Sequence, residues 1–189
     1  MTMENRDTGM TRTNYRTGRI LTAVLMLLPV VAVFWSPAPL ALSLVLFANL
    51  HVLALIDWYS FRLPNLLNLT LLLTGFAQAL YLSADIWRNL IGVIVGFAVI
   101  YLINAGYRRL RGQDGLGMGD AKLLAAGGAW ITWSGLPPAL LVASLAGLAS
   151  VMLAQLSGRR ITAQDRIAFG PFLCLGIWIS WLFFKPLTG

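Results

Sequence analysis

Charge is scarce in this sequence. Only 11% of its 189 residues are Asp, Glu, Lys or Arg, and just seven are acidic. A soluble globular domain carries about 25% charged residues. Together with 58% hydrophobic residues, this excludes a soluble fold and points to an integral membrane protein. Cysteine is almost absent. The single Cys174 admits no internal disulfide, and without a CxxC pair there is no thiolate zinc site. It lies within an apolar run and reads as a small hydrophobe of the core. Histidine occurs once, as His51. That is six residues before Asp57, on another face of a helix advancing about 100° per residue. It reads as a satisfied polar group in the membrane, not a catalytic base. No metal site is expected. A cleavage site is missing as well: the basic N-terminal stretch runs into apolar sequence with no small-x-small pattern before Ser36. The first apolar run is therefore expected to remain as an anchor.

What the chain has in quantity is apolar length. A spanning helix needs about 20 mainly apolar residues, and about 17 can suffice. Seven runs qualify or come close: 20–35, 40–56, 66–82, 86–107, 121–133, 136–156 and 172–184. The fold class expected is all-α, a polytopic transmembrane helix bundle of about seven spans. Residues 1–19 form a basic tail and residues 20–184 a single membrane domain. Trp35, Trp87, Trp133 and Trp181 lie near run ends, as interfacial aromatics do. Pro37, Pro39, Pro64, Pro137, Pro138 and Pro171 mark boundaries. Asn49, Gln78, Asn104 and Gln155 read as interhelical hydrogen-bonding groups. Gly92, Gly96, Gly127, Gly128 and Gly147 read as permitting close helix packing.

The net charge of +7 is not a nucleic-acid footprint, because the basic residues fall between apolar runs. With the N-terminus in the cytoplasm, Arg6, Arg12, Arg16, Arg19, Arg62, Arg108, Arg109, Arg111, Lys122, Arg159, Arg160 and Arg166 lie on that side. Arg88 and Lys185 lie on the other. Twelve of the 14 basic residues on one side is a strong positive-inside asymmetry. The same topology puts Asp57 at the end of the second run and Asp120 at the start of the fifth, at one membrane face. Asp85 falls on the opposite side. Glu4 and Asp7 lie in the tail, and Asp114 and Asp165 in basic loops.

Acids against apolar segments are costly and call for a functional reading. Asp120 lies in GLGMGDAK, where Gly115, Gly117 and Gly119 alternate before it. Glycines let another chain approach closely, so an extended peptide could lie along this stretch. Read alone, the segment equally describes a flexible loop ending in an Asp cap. Asp57 opens DWYSFRLPN, with Arg62 five residues on and Pro64-Asn65 starting the next helix. Read alone, that is equally a cytoplasmic turn. An ion- or proton-coupled transporter using Asp57 and Asp120 is the alternative from another class. Transporters more often show broken midplane helices or inverted repeats, and no repeat is visible here.

The two motifs together resemble those of the prepilin peptidases, bacterial membrane aspartic peptidases of the GxGD type. The resemblance rests on Asp57…Pro64-Asn65 and on Gly117-Met118-Gly119-Asp120-Ala121-Lys122. LLAAGGAW follows, and AFGPFLCLG resembles the family's FGP segment. It runs from about Asn49 to Trp181. It implies that Asp57 and Asp120 are catalytic. Gly117, Gly119, Lys122, Arg62, Pro64, Asn65, Gly170 and Pro171 would bind substrate or shape the site. It further implies a location in the bacterial inner membrane with the site facing the cytoplasm. Partners would be the lipid bilayer and type IV prepilins or type II secretion pseudopilins, cleaved after a short basic leader. Longer family members carry an N-terminal cytoplasmic segment with two CxxC pairs. N-methylation with S-adenosylmethionine is associated with that segment. This chain resembles the short form, so peptidase activity without methyl transfer, and no cofactor, is the expectation.

Overall fold

The structure is a computed structural model and describes residues 38–112, 115, 117–156 and 168–184. Five α-helices run through them: α1 (Leu40–Ser60), α2 (Asn65–Tyr81), α3 (Ile86–Arg111), α4 (Met118–Leu156) and α5 (Gly170–Phe183). No strand occurs among the described residues. Local chemistry sets the boundaries. Pro39 and Pro64 precede α1 and α2 in extended conformation, as a residue without an N–H can at a helix start. Asp85 caps α3 by accepting from Trp87 N at 3.0 Å. α3 ends at Gly112, whose φ of 68° lies in the left-handed region that glycine adopts freely. It runs past the Tyr107 limit read from hydropathy, because Arg108 to Arg111 favour helix even after the apolar run stops.

α4 is broken at Thr132, where φ is 59° and ψ is −179°. The contacts on either side show that the chain reverses there. Before the break, Gly127 faces Ile177 and Trp130 meets Trp181, so this half runs parallel to α5. After it, Gly135 meets Ser180, Ala139 meets Gly176, and Gly147 meets Phe172, so the second half runs antiparallel to α5. The two halves are therefore a helical hairpin, and they correspond to the separate runs 121–133 and 136–156. Pro137 and Pro138 lie five and six residues after the break, inside the second half of the helix. Six of the seven apolar runs are thereby placed. The run 20–35, the tail 1–19, and the loop acids Asp114 and Asp165 lie outside the described residues.

The first half of α4 is the centre of the bundle, buried nearly all round from Asp120 to Thr132. α3 packs antiparallel to it: Gly96 faces Leu124, and Gly92 faces Gly128 and Thr132. α2 packs parallel to it. Lys122 Nζ donates to Asn65 Oδ1 at one level, and Trp130 Nε1 donates to Leu71 O at 2.8 Å further along. α5 closes the remaining side through an edge-on Trp130–Trp181 contact with centroids 5.3 Å apart. α1 lies against α2 and α5. Asn49 accepts from Thr70 Oγ1, and Trp181 Nε1 donates to Ser43 Oγ at 2.9 Å. The indole N–H groups of Trp130 and Trp181 thus both have a partner, as a low-dielectric interior requires.

The outer faces are apolar. Leu66, Leu73, Leu102, Leu145 and Leu153 are all exposed. α1, α3 and α4 are long and apolar enough to cross a membrane, and α5 is a shorter apolar helix. Helices satisfy their own backbone groups, which is what a bilayer demands. The chain is an integral, all-helical membrane protein.

Several single-residue readings change. Trp181 is not interfacial: it is 1% exposed and forms the core contact with Trp130. Trp87 and Trp133 do face outward, and Trp35 lies outside the described residues. Gln155 is exposed and links no helices among the described residues. Gly147 is no tight contact, since a Cβ there would meet Phe172 at an ordinary 3.7 Å. His51 stacks on Phe47 at 5.4 Å, but its buried Nδ1 has no hydrogen-bond partner among the described residues, so it is not the satisfied group expected. Cys174 is buried and unpaired, as a core thiol should be.

Candidate functional site

The end of α1 and the starts of α2, α4 and α5 converge at one end of the bundle, as the parallel and antiparallel pairings require. A cavity of about 570 Å³ lies there. It is lined by Asp57, Phe61, Arg62, Leu63, Pro64, Asn65, Gly117, Met118, Gly119, Asp120 and Lys122. The two motifs, about 60 positions apart in sequence, thus face one space. Every residue that the family resemblance assigned to the site lines it except Gly170 and Pro171, and Gly170 touches Asp57.

Asp57 sits in the last turn of α1, where the helix continues three residues to Ser60. Phe61 then turns the chain with a left-handed φ of 52°, and its N–H donates to Asp57 O at 2.9 Å. Such a conformation is unusual for a bulky residue. It carries Arg62, Leu63 and Pro64 across the cavity mouth into α2. The Asp57 carboxylate is 6% exposed, and its Oδ2 accepts from Gly170 N at 3.1 Å.

Asp120 is the third residue of α4. Its Oδ2 accepts from the N–H of Gly117, just before the helix, at 3.1 Å. Its own N–H donates to Gly117 O at 3.0 Å. An acidic side chain reaching back from the third helical position is half of a capping box. Asp120 therefore does cap its helix, from within the first turn and not from the position before it. It is 8% exposed. Gly119 lets this turn approach the α1–α2 connection: a Cβ there would lie 3.2 Å from Leu63 Cβ. Gly115 is held further back, its N–H donating to Asn104 Oδ1 at 2.9 Å.

Lys122 does not neutralise either aspartate. Its Nζ donates to Asn65 Oδ1 at 2.8 Å, which ties the start of α2 to the start of α4. Arg62 is exposed at the mouth. Phe61, Leu63 and Met118 were not singled out from sequence. Phe61 and Leu63 lie inside DWYSFRLPN, and Met118 is the variable position of GxGD, so adjacency to the motifs was the available signal. No group of three or more His, Cys, Asp or Glu is assembled among the described residues.

Two nearly buried carboxylates thus line one cavity, each with one oxygen held by a glycine N–H. Residues 44–152 match the type IV leader peptidase family, a stretch that includes both aspartates. The chain belongs to that family. It is 39% identical to a prepilin leader peptidase/N-methyltransferase of Escherichia coli (strain K12), over 71% of this chain and 59% of that protein. It is 38% identical to one of Dickeya chrysanthemi, over 75% and 50%. It is 35% identical to one of Aeromonas salmonicida (strain A449), over 89% and 58%. The chain thus spans about half to three-fifths of these relatives' length. No solved structure matches it.

Proposed function

We propose that this family member is an aspartic endopeptidase that removes the leader from type IV prepilins or type II secretion pseudopilins. The observation that carries the reading is the meeting of Asp57 and Asp120 on one cavity. Two close carboxylates cannot both ionise easily and share a proton. The ionised member takes a proton from water as the water attacks the scissile carbonyl. The protonated member donates to the carbonyl oxygen, and the leaving amine is protonated as the intermediate collapses. This hydrolysis needs water alone, neither a metal nor S-adenosylmethionine.

The site lies at the helix ends, so a substrate can keep its apolar helix in the bilayer while its leader junction enters the cavity. The charge asymmetry supports a site at the cytoplasmic face of the inner membrane. Lys122, already oriented by Asn65, and Arg62 at the mouth are the cationic contacts offered to substrate. Gly117 and Gly119 keep the approach to Asp120 free of side chains.

The test is cleavage of purified prepilins by the detergent-solubilised protein, comparing wild type with Asp57→Asn and Asp120→Asn. Loss of cleavage in both variants is the expected result. Wild-type rates in both would overturn the reading, and ion flux by wild type without cleavage of any prepilin would favour a transporter. Assaying methyl incorporation into the product tests methyl transfer separately.

A further inference from the structure

The start of α5 poses a hydrogen-bonding problem that its own sequence does not solve. The first N–H groups of a helix have no intrahelical acceptor. Phe169, the residue before α5, has no side-chain oxygen and makes no cap. Pro171 has no N–H to satisfy, but Gly170 has one, and it is buried. Its acceptor is Asp57 Oδ2, 3.1 Å away and 113 positions earlier in the chain. Gly170 does not have a positive φ, so its backbone conformation suits any residue. Space is what demands glycine. A Cβ there would lie 2.5 Å from Asp57 Oδ2 and 2.9 Å from its Cγ, below any ordinary contact. The helix start is thus pressed directly onto the carboxylate.

We infer that Gly170 is a positioning residue for the aspartate pair: its N–H engages Oδ2 of Asp57 and orients that carboxylate, while Asp57 caps α5 in return. The inference rests on the peptidase reading for its catalytic consequence, but not for the contact itself. The arrangement has a counterpart across the cavity, where Gly117 N–H engages Oδ2 of Asp120. No described residue donates to Oδ1 of either aspartate. Among the described residues, each acid therefore has one oxygen held by a glycine N–H, and the second is the one open to the proton shared with water or substrate. The difference lies in reach. Gly117 and Asp120 are three residues apart, and the local turn makes their contact. Gly170 and Asp57 meet only when α5 is docked against α1, so docking and the orientation of Asp57 are a single event.

Amide hydrogen exchange at Gly170, followed by NMR in detergent micelles, tests the contact without any substrate. Asp57→Ala removes the acceptor, and exchange at Gly170 should accelerate at least about tenfold while residues later in α5 keep their protection. Asp57→Asn retains an acceptor oxygen and should stay near the wild-type rate. Equal Gly170 exchange in wild type and Asp57→Ala would overturn the inference. Kinetics test the consequence. Gly170→Ala crowds the carboxylate. Replacing Gly170 by glycolic acid, through a backbone ester, deletes the N–H and adds no atom, which keeps the test valid if the alanine variant misfolds. Either should lower kcat for a purified type IV prepilin about tenfold or more, with KM within about twofold. A kcat near wild type in the ester variant, or a rise in KM alone, would count against a positioning role. Failure of the peptidase reading is seen separately, as undiminished cleavage by Asp57→Asn and Asp120→Asn.

Discussion

In the middle of the bundle, Gly92 and Gly128 bring α3 and α4 so close that a methyl group on either would run into the other's carbonyl. At the acid-bearing end, Gly117 and Gly170 turn their N–H groups toward carboxylates. The first pair holds helices together by backbone approach. With little hydrophobic drive between helices in lipid, such contact is a main source of cohesion. The second pair adds little packing and organises charge. The same residue type thus builds the scaffold in one region and the chemistry in the other. What distinguishes them is what a Cβ would meet: backbone of a neighbouring helix, or an aspartate oxygen.

The largest break in that comparison is expected from the aspartates themselves. Asp57→Asn and Asp120→Asn should each lower prepilin cleavage by roughly 10³-fold or more, as removal of one member of a cooperating pair does. Because asparagine still accepts a hydrogen bond, thermal unfolding in micelles should change little. Gly128→Val is the converse case. Overpacking against the α3 backbone should cost about 3 kcal/mol or more, read as a lowered unfolding midpoint together with lost activity. Trp130→Phe keeps the ring beside Trp181 but removes the donor to Leu71 O, and should cost about 1 kcal/mol in the same measurement. The smallest effects sharpen the comparison from the other side. Gly147→Ala places a methyl at an ordinary distance from Phe172 and should be nearly neutral. Gly106→Ala meets nothing within 4 Å and should stabilise α3 by about 0.5–1 kcal/mol. A large loss in either would mean that glycine works here by something other than clearance.

The misread residues share a cause. Trp181, Gln155 and Gly147 were judged by position along an apolar run. Which way each faces depends on how its helix is rotated against its neighbours. Trp181 sits near a helix end, where an interfacial role is natural, yet α5 turns it onto Trp130. Gln155 lies among apolar residues, yet the outer half of the α4 hairpin turns it outward. The cost of an unpaired group in the membrane predicts a partner for His51, but its Nδ1 finds none among the described residues. The hairpin itself left more of a trace. Ser134 and Gly135 divide two apolar runs, with Pro137 and Pro138 at the start of the second, although the left-handed turn falls on Thr132, a β-branched residue with no local reason to adopt it.

Composition and spacing alone determined that this is a helical membrane protein, where most helices begin and end, and which two acids face a common end of the bundle. These follow from local rules: apolar length, proline and glycine chemistry, and the cost of charge in lipid. The tertiary structure decided which Asp oxygens are engaged, that Lys122 is bound to Asn65 and to neither acid, and that the start of α5 rests on Asp57. Those contacts join residues 57 to 113 positions apart. Their geometry depends on helix rotation and depth, which no local pattern encodes.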